Sequence, residues 1–203
     1  MVKRAFLVLS VLAAHCAPAW GADRTIVVLG DSLSSGYGLD AEQSWVTLLE
    51  NHLDAQAYGY EVVNASIAGD TSAGGLARLP SLLATYEPAI VVIELGGNDG
   101  LRGQPVAKLR QNLGRMIELV TAADARAVLT GIQIPPNYGP AYTESFARVY
   151  TELAEEHDVA LVNFLMDGVV LKPELMQADR VHPNAAGQRP MFENVWNVLA
   201  ELL

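Results

Sequence analysis

The feature that most constrains this fold is the alternation of five short apolar runs with stretches of helical periodicity. The first run, residues 25–29 (Thr-Ile-Val-Val-Leu), stops at Gly30. A continuous β-branched run of this length is typical of a strand buried on both faces of a sheet. Similar runs lie at residues 60–64, 89–95, 127–132 and 159–163. Strands that alternate with helices predict a parallel sheet with right-handed crossovers, and therefore an α/β fold in three layers, an α/β/α sandwich.

Apolar residues recur at helical spacing between these runs, which supports the predicted helices. The stripes lie within residues 45–53, 109–120, 146–153 and 192–202. Pro190 is expected in the first turn of the last helix, where the missing N–H of proline is tolerated. Pro80 interrupts another helical pattern, so that helix either kinks or begins at this residue.

The first residues have the pattern of a secretory signal peptide. Lys3 and Arg4 precede residues 5–14, which are apolar apart from Ser10. Small residues at Ala17, Ala19 and Gly21 then give two possible A-x-A-like cleavage sites. The apolar run is too short to span a bilayer comfortably. A basic start, an apolar run and an A-x-A-like site together predict export and cleavage of residues 1–21.

Cleavage after Gly21 would leave residues 22–203 as a single domain, and we expect that domain in the periplasm. The only cysteine of the chain, Cys16, lies in the predicted leader. The mature domain would then contain no thiol and no disulfide, which excludes thiol catalysis and cysteine–zinc sites.

The charge balance limits the classes of partner. Lys and Arg number 13 against 23 Asp and Glu, so the formal net charge of the 203-residue chain is −10. A nucleic-acid binder needs a basic face to displace counterions from phosphates. An anionic membrane surface would also repel this chain. We therefore expect no nucleic-acid partner and no stable membrane anchor.

Polar and glycine residues follow four of the predicted strands. These segments are residues 30–34, 64–70, 96–100 and 179–183. Ligands of parallel sheets bind at the carboxyl ends of strands, where the strand order reverses. The glycines after the first strand do not fit G-x-G-x-x-G, and no G-x-x-x-x-G-K occurs, so no nucleotide cofactor is expected. The G-x-S-x-G of ordinary α/β-hydrolases is also missing.

Three histidines follow the predicted leader, and one of them is placed for catalysis. His52 lies on an apolar helical stripe and His157 at a helix end, so packing and helix capping are their expected roles. Only His182 lies in a loop after a strand, with Asp179 three residues before it. A nucleophilic site needs a serine, a base and a group that orients the base. The pattern predicts Ser32, His182 and Asp179 in these roles.

Donors for a tetrahedral oxyanion are also available. They are the backbone N–H groups of Ser32 and Gly69 and the side-chain amide of Asn98. An ordinary turn is the alternative interpretation of Asn98 and its neighbours. Asp31 and Asp99 could form an acid–base pair, but we favour a role in which their short side chains accept loop N–H bonds.

Four sequence blocks carry a family resemblance. They are Gly-Asp-Ser-Leu-Ser at 30–34, glycine at 69, Gly-Gly-Asn-Asp at 96–99 and Asp-x-x-His at 179–182, with further stretches at 63–66, 69–72, 75–80, 94–103, 136–139 and 176–179. The chain resembles the SGNH hydrolases, the GDSL-type esterase superfamily, over essentially all of residues 22–203. Within it, the resemblance is strongest to the bacterial periplasmic thioesterases, lysophospholipases and arylesterases.

This resemblance implies a flavodoxin-like five-stranded parallel sheet. It implies Ser32 as nucleophile, His182 as base and Asp179 as its orienting partner. It also implies an oxyanion hole formed by Ser32, Gly69 and Asn98. The implied activity is metal-free, cofactor-free hydrolysis of carboxylic esters and thioesters, with aryl esters, acyl thioesters and lysophospholipids as substrates.

The same resemblance bears on substrate binding. In these relatives the segment that corresponds to residues 100–105 moves over the bound acyl chain. Arg180 stands where such relatives usually carry glycine, which affects the expected substrate preference more than the mechanism.

Apolar residues after the strand ends are expected to line the acyl chain. They are Leu101, Ile132, Ile134 and Pro135, with Gly100 beside them. Packing of the same residues on the core is the alternative interpretation.

Two other functions are open at this point. One is a carbohydrate O-deacetylase of the same superfamily, although aromatic residues make up only 7% of the chain. The other is a non-catalytic acyl-binding protein, against which the complete set of catalytic residues argues. We expect a monomer whose partner is a small-molecule ester or lysophospholipid.

Overall fold

The computed structural model describes residues 24–203, and the predicted signal peptide lies outside this range. The strands are β1 (Arg24–Gly30), β2 (Tyr60–Asn64), β3 (Ile90–Glu94), β4 (Arg126–Thr130) and β5 (Ala160–Val162). The helices are α1 (Trp45–Ala55), α2 (Ser72–Tyr86), α3 (Gly97–Leu101), α4 (Val106–Ala122), α5 (Pro140–His157) and α6 (Ala185–Leu199). Short 3₁₀ turns cover Ala41–Gln43, Pro136–Tyr138, Pro173–Leu175 and Ala200–Leu202.

All five strands are parallel and form one sheet in the order β2-β1-β3-β4-β5. Ile26 of β1 lies opposite Val62 of β2 on one side and Ile90 of β3 on the other. The strand order therefore reverses between β1 and β3, and the carboxyl ends of these two strands border a crevice. The predicted three-layer fold and its strand order are confirmed.

The two faces of the sheet carry separate apolar cores, as the run in β1 predicts. Ile26 and Val28 face the layer that contains α1 and α6. Val27 and Leu29 face the layer that contains α2, α4 and α5. All four side chains are fully buried. Because successive residues of a strand point to opposite faces, only an uninterrupted apolar run can supply both cores.

The two prolines lie inside helices. The prediction that Pro190 stands in the first turn of the last helix is wrong, because α6 begins at Ala185 and continues through it. Asn184 caps this helix, and its side-chain oxygen accepts from the N–H groups of Ala186 and Gly187. Helix α2 likewise passes through Pro80 instead of starting there. In both helices, N-cap bonds and buried side chains outweigh the backbone hydrogen bond that proline removes.

Within residues 24–203, no helix combines the length and apolar character that crossing a bilayer requires.

Candidate active site

Ser32 meets the side chains of Asp179 and His182, about 150 residues further along the chain, at the carboxyl edge of the sheet. Ser32 follows β1, and its Oγ lies 2.9 Å from Nε2 of His182. Nδ1 of His182 lies 2.6 Å from Oδ2 of Asp179. The structure thus brings the predicted nucleophile, base and orienting carboxylate into one chain of hydrogen bonds.

The turn from Asp179 to His182 holds the carboxylate in place. Oδ1 of Asp179 accepts hydrogen bonds from the backbone N–H groups of Val181 (2.9 Å) and His182 (3.0 Å). Hydrogen bonds from the His182 side chain, the His182 N–H and the Val181 N–H lower the pKa of Asp179 to about 2. An ionised carboxylate can only accept, so Nδ1 of His182 carries the proton and Nε2 is left to accept from the Ser32 hydroxyl.

Besides the N–H of Ser32, the predicted oxyanion donors are Gly69, in the loop after β2, and Asn98, in α3. Gly69 has a φ of +80°, and a β-carbon there would meet no atom within 4 Å, so its backbone faces open space. The N–H of Ile67 donates to the carbonyl of Gly30 (3.0 Å), which fixes this loop against the end of β1. Asn98, in α3, donates its side-chain amide to Oδ2 of Asp31 (2.9 Å). Asn98 is therefore held beside the residue that precedes Ser32.

Asp31 and Asp99 do not form an acid–base pair. Oδ1 of Asp31 accepts from the N–H of Leu33 (3.0 Å), in line with the favoured local role. Burial raises the pKa of Asp31 to about 6, although the hydrogen bonds from Leu33 and Asn98 oppose this shift. Asp99 instead accepts from the N–H (2.8 Å) and hydroxyl (2.5 Å) of Ser72, the first residue of α2. Asp99 thus ties the third strand-end loop to a helix from another part of the chain.

A buried glutamate, which the sequence reasoning missed, lies directly beneath this site. Glu94 ends β3 and is fully buried. Its Oε2 accepts from the Ser34 hydroxyl (2.6 Å) and from the Asp31 N–H (3.2 Å). Burial and the neighbouring Asp31 carboxylate raise the pKa of Glu94 well above its usual range, which favours its neutral, protonated form. The sequence signal that could have identified Glu94 is its position as a single acidic residue within the apolar run 89–95.

Comparison with known proteins decides the family. The model of the GDSL-like lipase/acylhydrolase family matches residues 28–189, which include the Ser32, Asn98 and His182 segments. The chain belongs to this family. It is therefore an enzyme of the ester-hydrolysing class.

Individual members of the family are similar over most of their length. The esterase TesA of Pseudomonas aeruginosa is 52% identical over 200 residues, which are 98% of this chain and 100% of the relative. The thioesterase 1/protease 1/lysophospholipase L1 of Escherichia coli is 48% identical over 164 residues, 81% of this chain and 77% of the relative. The structure of the esterase EstA from Pseudoalteromonas, inhibited by monoethylphosphonate, superposes with a TM-score of 0.85 at 44% identity. That match covers 89% of this chain and 98% of EstA.

In this GDSL-like hydrolase, two further residues join the nucleophile loop to the histidine loop. The Tyr37 ring centre lies 4.6 Å from that of His182. The Gln177 side-chain amide donates to the carbonyls of Tyr37 (2.9 Å) and Pro183 (3.1 Å). The Gln177 backbone N–H donates to the carbonyl of His182 (2.7 Å). Residue patterns did not predict either role; Gln177 entered only as part of the stretch at 176–179 that resembles the family.

The residues expected to line the acyl chain divide into exposed and buried ones. Leu101 is 41% exposed, and Pro135 is also exposed. Gly100 is buried, and a β-carbon there would lie 2.4 Å from Ile134, which is only 8% exposed. Ile132 is buried in the same core. Leu101 and Pro135 are thus the accessible apolar side chains of this set, and the Leu101 carbonyl accepts from the Tyr138 hydroxyl (2.7 Å).

The other two histidines lie away from the site, as expected. His52 packs edge-on against Trp196, with ring centres 4.3 Å apart. His157 is the last residue of α5. In the part of the chain that the structure describes, no three His, Cys, Asp or Glu side chains are grouped as metal ligands.

Proposed function

We propose that this hydrolase cleaves esters through an acyl-enzyme intermediate on Ser32. The observation that carries the proposal is the 2.9 Å contact between Oγ of Ser32 and Nε2 of His182, continued by the 2.6 Å contact to Asp179. A serine hydroxyl is a weak nucleophile until an adjacent base accepts its proton, and a carboxylate fixes the tautomer of that base.

In the first half of the reaction, Oγ of Ser32 attacks the ester carbonyl while Nε2 of His182 takes the hydroxyl proton. The N–H groups of Ser32 and Gly69 and the amide of Asn98 stabilise the resulting oxyanion. The bond from the carbonyl carbon to the leaving oxygen or sulfur then breaks, and His182 gives its proton to the leaving group. Ser32 is left acylated.

In the second half, water replaces the leaving group. His182 takes one proton from the water as its oxygen attacks the acyl-enzyme. The bond to Oγ then breaks, the proton returns to Ser32, and the free acid leaves. Asp179 stays ionised throughout, because its low pKa keeps it charged.

The proposed substrates are aryl esters, acyl thioesters and lysophospholipids. The names of the two relatives described above support esters, thioesters and lysophospholipids, and the arylesterase of Vibrio mimicus, 43% identical over 182 residues, supports aryl esters. Leu101, exposed next to the oxyanion residue Asn98, offers an apolar surface for the acyl chain. We place the movable cover of this chain at residues 100–105.

We also infer that residues 1–21 direct export and that the mature, monomeric domain of residues 22–203 works in the periplasm. The basic start and the short apolar run support this. Periplasmic extraction followed by N-terminal sequencing tests it. A mature N-terminus near residue 22 is expected, and uncleaved protein in the cytoplasm would contradict it.

A trapping experiment tests the acyl-enzyme proposal. A p-nitrophenyl alkylphosphonate should release one equivalent of p-nitrophenol and leave a phosphonate adduct on the Ser32 peptide, as located by mass spectrometry. Ser32→Ala should form no adduct, whereas Ser35→Ala should react like the wild type. An adduct on another residue would overturn the assignment of Ser32.

A further inference from the structure

Arg180 occupies a backbone conformation that glycine would adopt at lower cost. Its φ is +57°, in the left-handed region where a β-carbon is unfavourable. The turn is closed by a hydrogen bond from the Arg180 N–H to the carbonyl of Gln177 (3.0 Å). An exposed arginine held in a strained backbone position next to an active site suggests that its side chain has a use.

Within residues 24–203, the guanidinium of Arg180 makes no direct ion pair with Asp179 beside it. Both oxygens of Asp179 are engaged with the His182 ring and with the N–H groups of Val181 and His182. The ion pairs within residues 24–203 do not include Arg180. In contrast, Arg115 on α4 pairs with Glu118 at 2.7 Å. An exposed arginine outside these ion pairs thus lies two residues from the catalytic histidine of a chain whose net charge is −10.

The position of Arg180 fixes which part of an ester it can reach. His182 must donate its proton to the leaving oxygen, so the alcohol part of the substrate lies next to the His182 loop. The proposed acyl surface at Leu101 belongs to α3, a different segment from the His182 loop. A cation in the His182 loop therefore meets the alcohol part of the ester and not the acyl chain.

We propose that Arg180 selects esters whose alcohol part bears an anion, above all a phosphate. A lysophospholipid with an anionic headgroup has this arrangement, with the phosphate on the alcohol that leaves. A guanidinium matches phosphate oxygens in charge and geometry. This inference rests on the proposed function, because it takes His182 as the acid that protonates the leaving alcohol.

The test compares two pairs of esters. Within each pair one ester carries an additional anion, which lies on the leaving alcohol in the first pair and on the acyl chain in the second. Monohexanoylglycerol and 1-hexanoylglycerol-3-phosphate share an acyl chain and differ by a phosphate on the leaving alcohol. Methyl hexanoate and monomethyl adipate differ by a carboxylate at the far end of the acyl chain. All four are used below their micelle concentrations, and kcat/KM is measured for each.

Four variants separate charge from backbone effects. R180Q removes the charge and keeps a β-carbon in the left-handed position, whereas R180K keeps the charge. R180G removes both the charge and the strain, so it remains informative if R180Q folds poorly. R115Q has the same net charge as R180Q and removes an exposed arginine far from the site.

The wild type should prefer the phosphorylated glycerol ester over the neutral one. R180Q and R180G should lower this preference roughly fivefold, the effect of one exposed ion pair, while R180K and R115Q keep it. The preference should weaken as salt is added. For monomethyl adipate, kcat/KM relative to methyl hexanoate should be the same in the wild type and in R180Q.

Equal phosphate preference in R180Q and R115Q would overturn the role of Arg180. Failure of the proposed function gives a different result, since the wild type would then hydrolyse neither glycerol ester, or Ser32→Ala would remain active.

Discussion

The side-chain amide of Asn98 donates a hydrogen bond of 2.9 Å to Oδ2 of Asp31, the residue immediately before Ser32, the proposed nucleophile. This bond uses one of the two amide hydrogens and fixes the plane of the amide, so that the second hydrogen is available for an oxyanion. The proposed oxyanion donor is therefore tied to the residue next to the proposed nucleophile. We expect substitutions of Asn98 and of Asp31 to have different effects.

Replacement of the donor itself should impair the chemical step. Asn98→Ala should lower kcat by roughly 10²–10³, the range known for loss of one side-chain oxyanion donor, with a much smaller change in KM. Steady-state kinetics with a soluble ester measure both. Asn51→Ala, on the exposed face of α1, is the matched control. Equal kcat values for Asn98→Ala and the control would remove Asn98 from the oxyanion hole.

Replacement of Asp31 should change how stability depends on pH. Burial raises the pKa of Asp31 from 3.8 to about 6, so the folded state binds more protons than the unfolded state between these values. The stabilising contribution of Asp31 is complete below about pH 4 and is lost as the pH rises through 6. Relative to Asp31→Asn, the wild type should lose up to about 3 kcal/mol over this interval.

Urea denaturation of both proteins at several pH values measures this difference in the free energy of unfolding. The contributions of the titratable groups that both proteins share cancel in the difference. A constant difference between wild type and Asp31→Asn from pH 4 to 7 would contradict the raised pKa. Asp31→Asn should also lower kcat at neutral pH, since an asparagine side chain has one acceptor oxygen and cannot replace both carboxylate oxygens, which accept from Leu33 and Asn98.

The buried Glu94 should tolerate a neutral substitute. Because burial raises the pKa of Glu94 and favours its neutral form, Glu94→Gln preserves that form and keeps an oxygen for Ser34 and Asp31. Glu94→Ala leaves both donors unpaired and should cost about 2–4 kcal/mol more than Glu94→Gln in the free energy of unfolding. Urea denaturation of both variants at pH 7 measures this difference in the free energy of unfolding. Equal destabilisation would mean that Glu94 is ionised.

The bridge made by Gln177 should matter for catalysis more than for stability. Gln177→Leu removes the amide that ties Tyr37 to Pro183, which leaves His182 less well aligned with Ser32. We expect kcat to fall roughly ten- to hundredfold, as small misalignments of catalytic groups do. Gln111→Leu, on the exposed face of α4, is the control. A loss of Tm with an unchanged kcat would assign Gln177 a purely structural role.

Much of the fold could be predicted because it depends on local patterns. The apolar run of β1 predicts a strand with two buried faces, and Ile26 to Leu29 are fully buried. The helix boundaries near Pro80 and Pro190 could not be predicted. Whether a helix passes through a proline depends on its cap and on tertiary packing, which no local pattern records.

Some residues of the candidate site could likewise be predicted from the sequence, and others could not. Ser32, Asn98 and His182 follow strand ends and lie in recognisable blocks, so reasoning from the sequence could select them. Gln177 and Glu94 act through contacts with residues distant in the chain. Such contacts exist only in the folded protein.

The central claim is that Ser32, activated by His182, hydrolyses esters without a metal. The most direct test is hydrolysis of p-nitrophenyl esters of increasing acyl length, with a chelator present, by wild type, Ser32→Ala and Ser35→Ala. We predict chelator-resistant activity that varies with chain length, survives in Ser35→Ala and is lost in Ser32→Ala. Activity that persists in Ser32→Ala, or an inert wild type, would contradict the account.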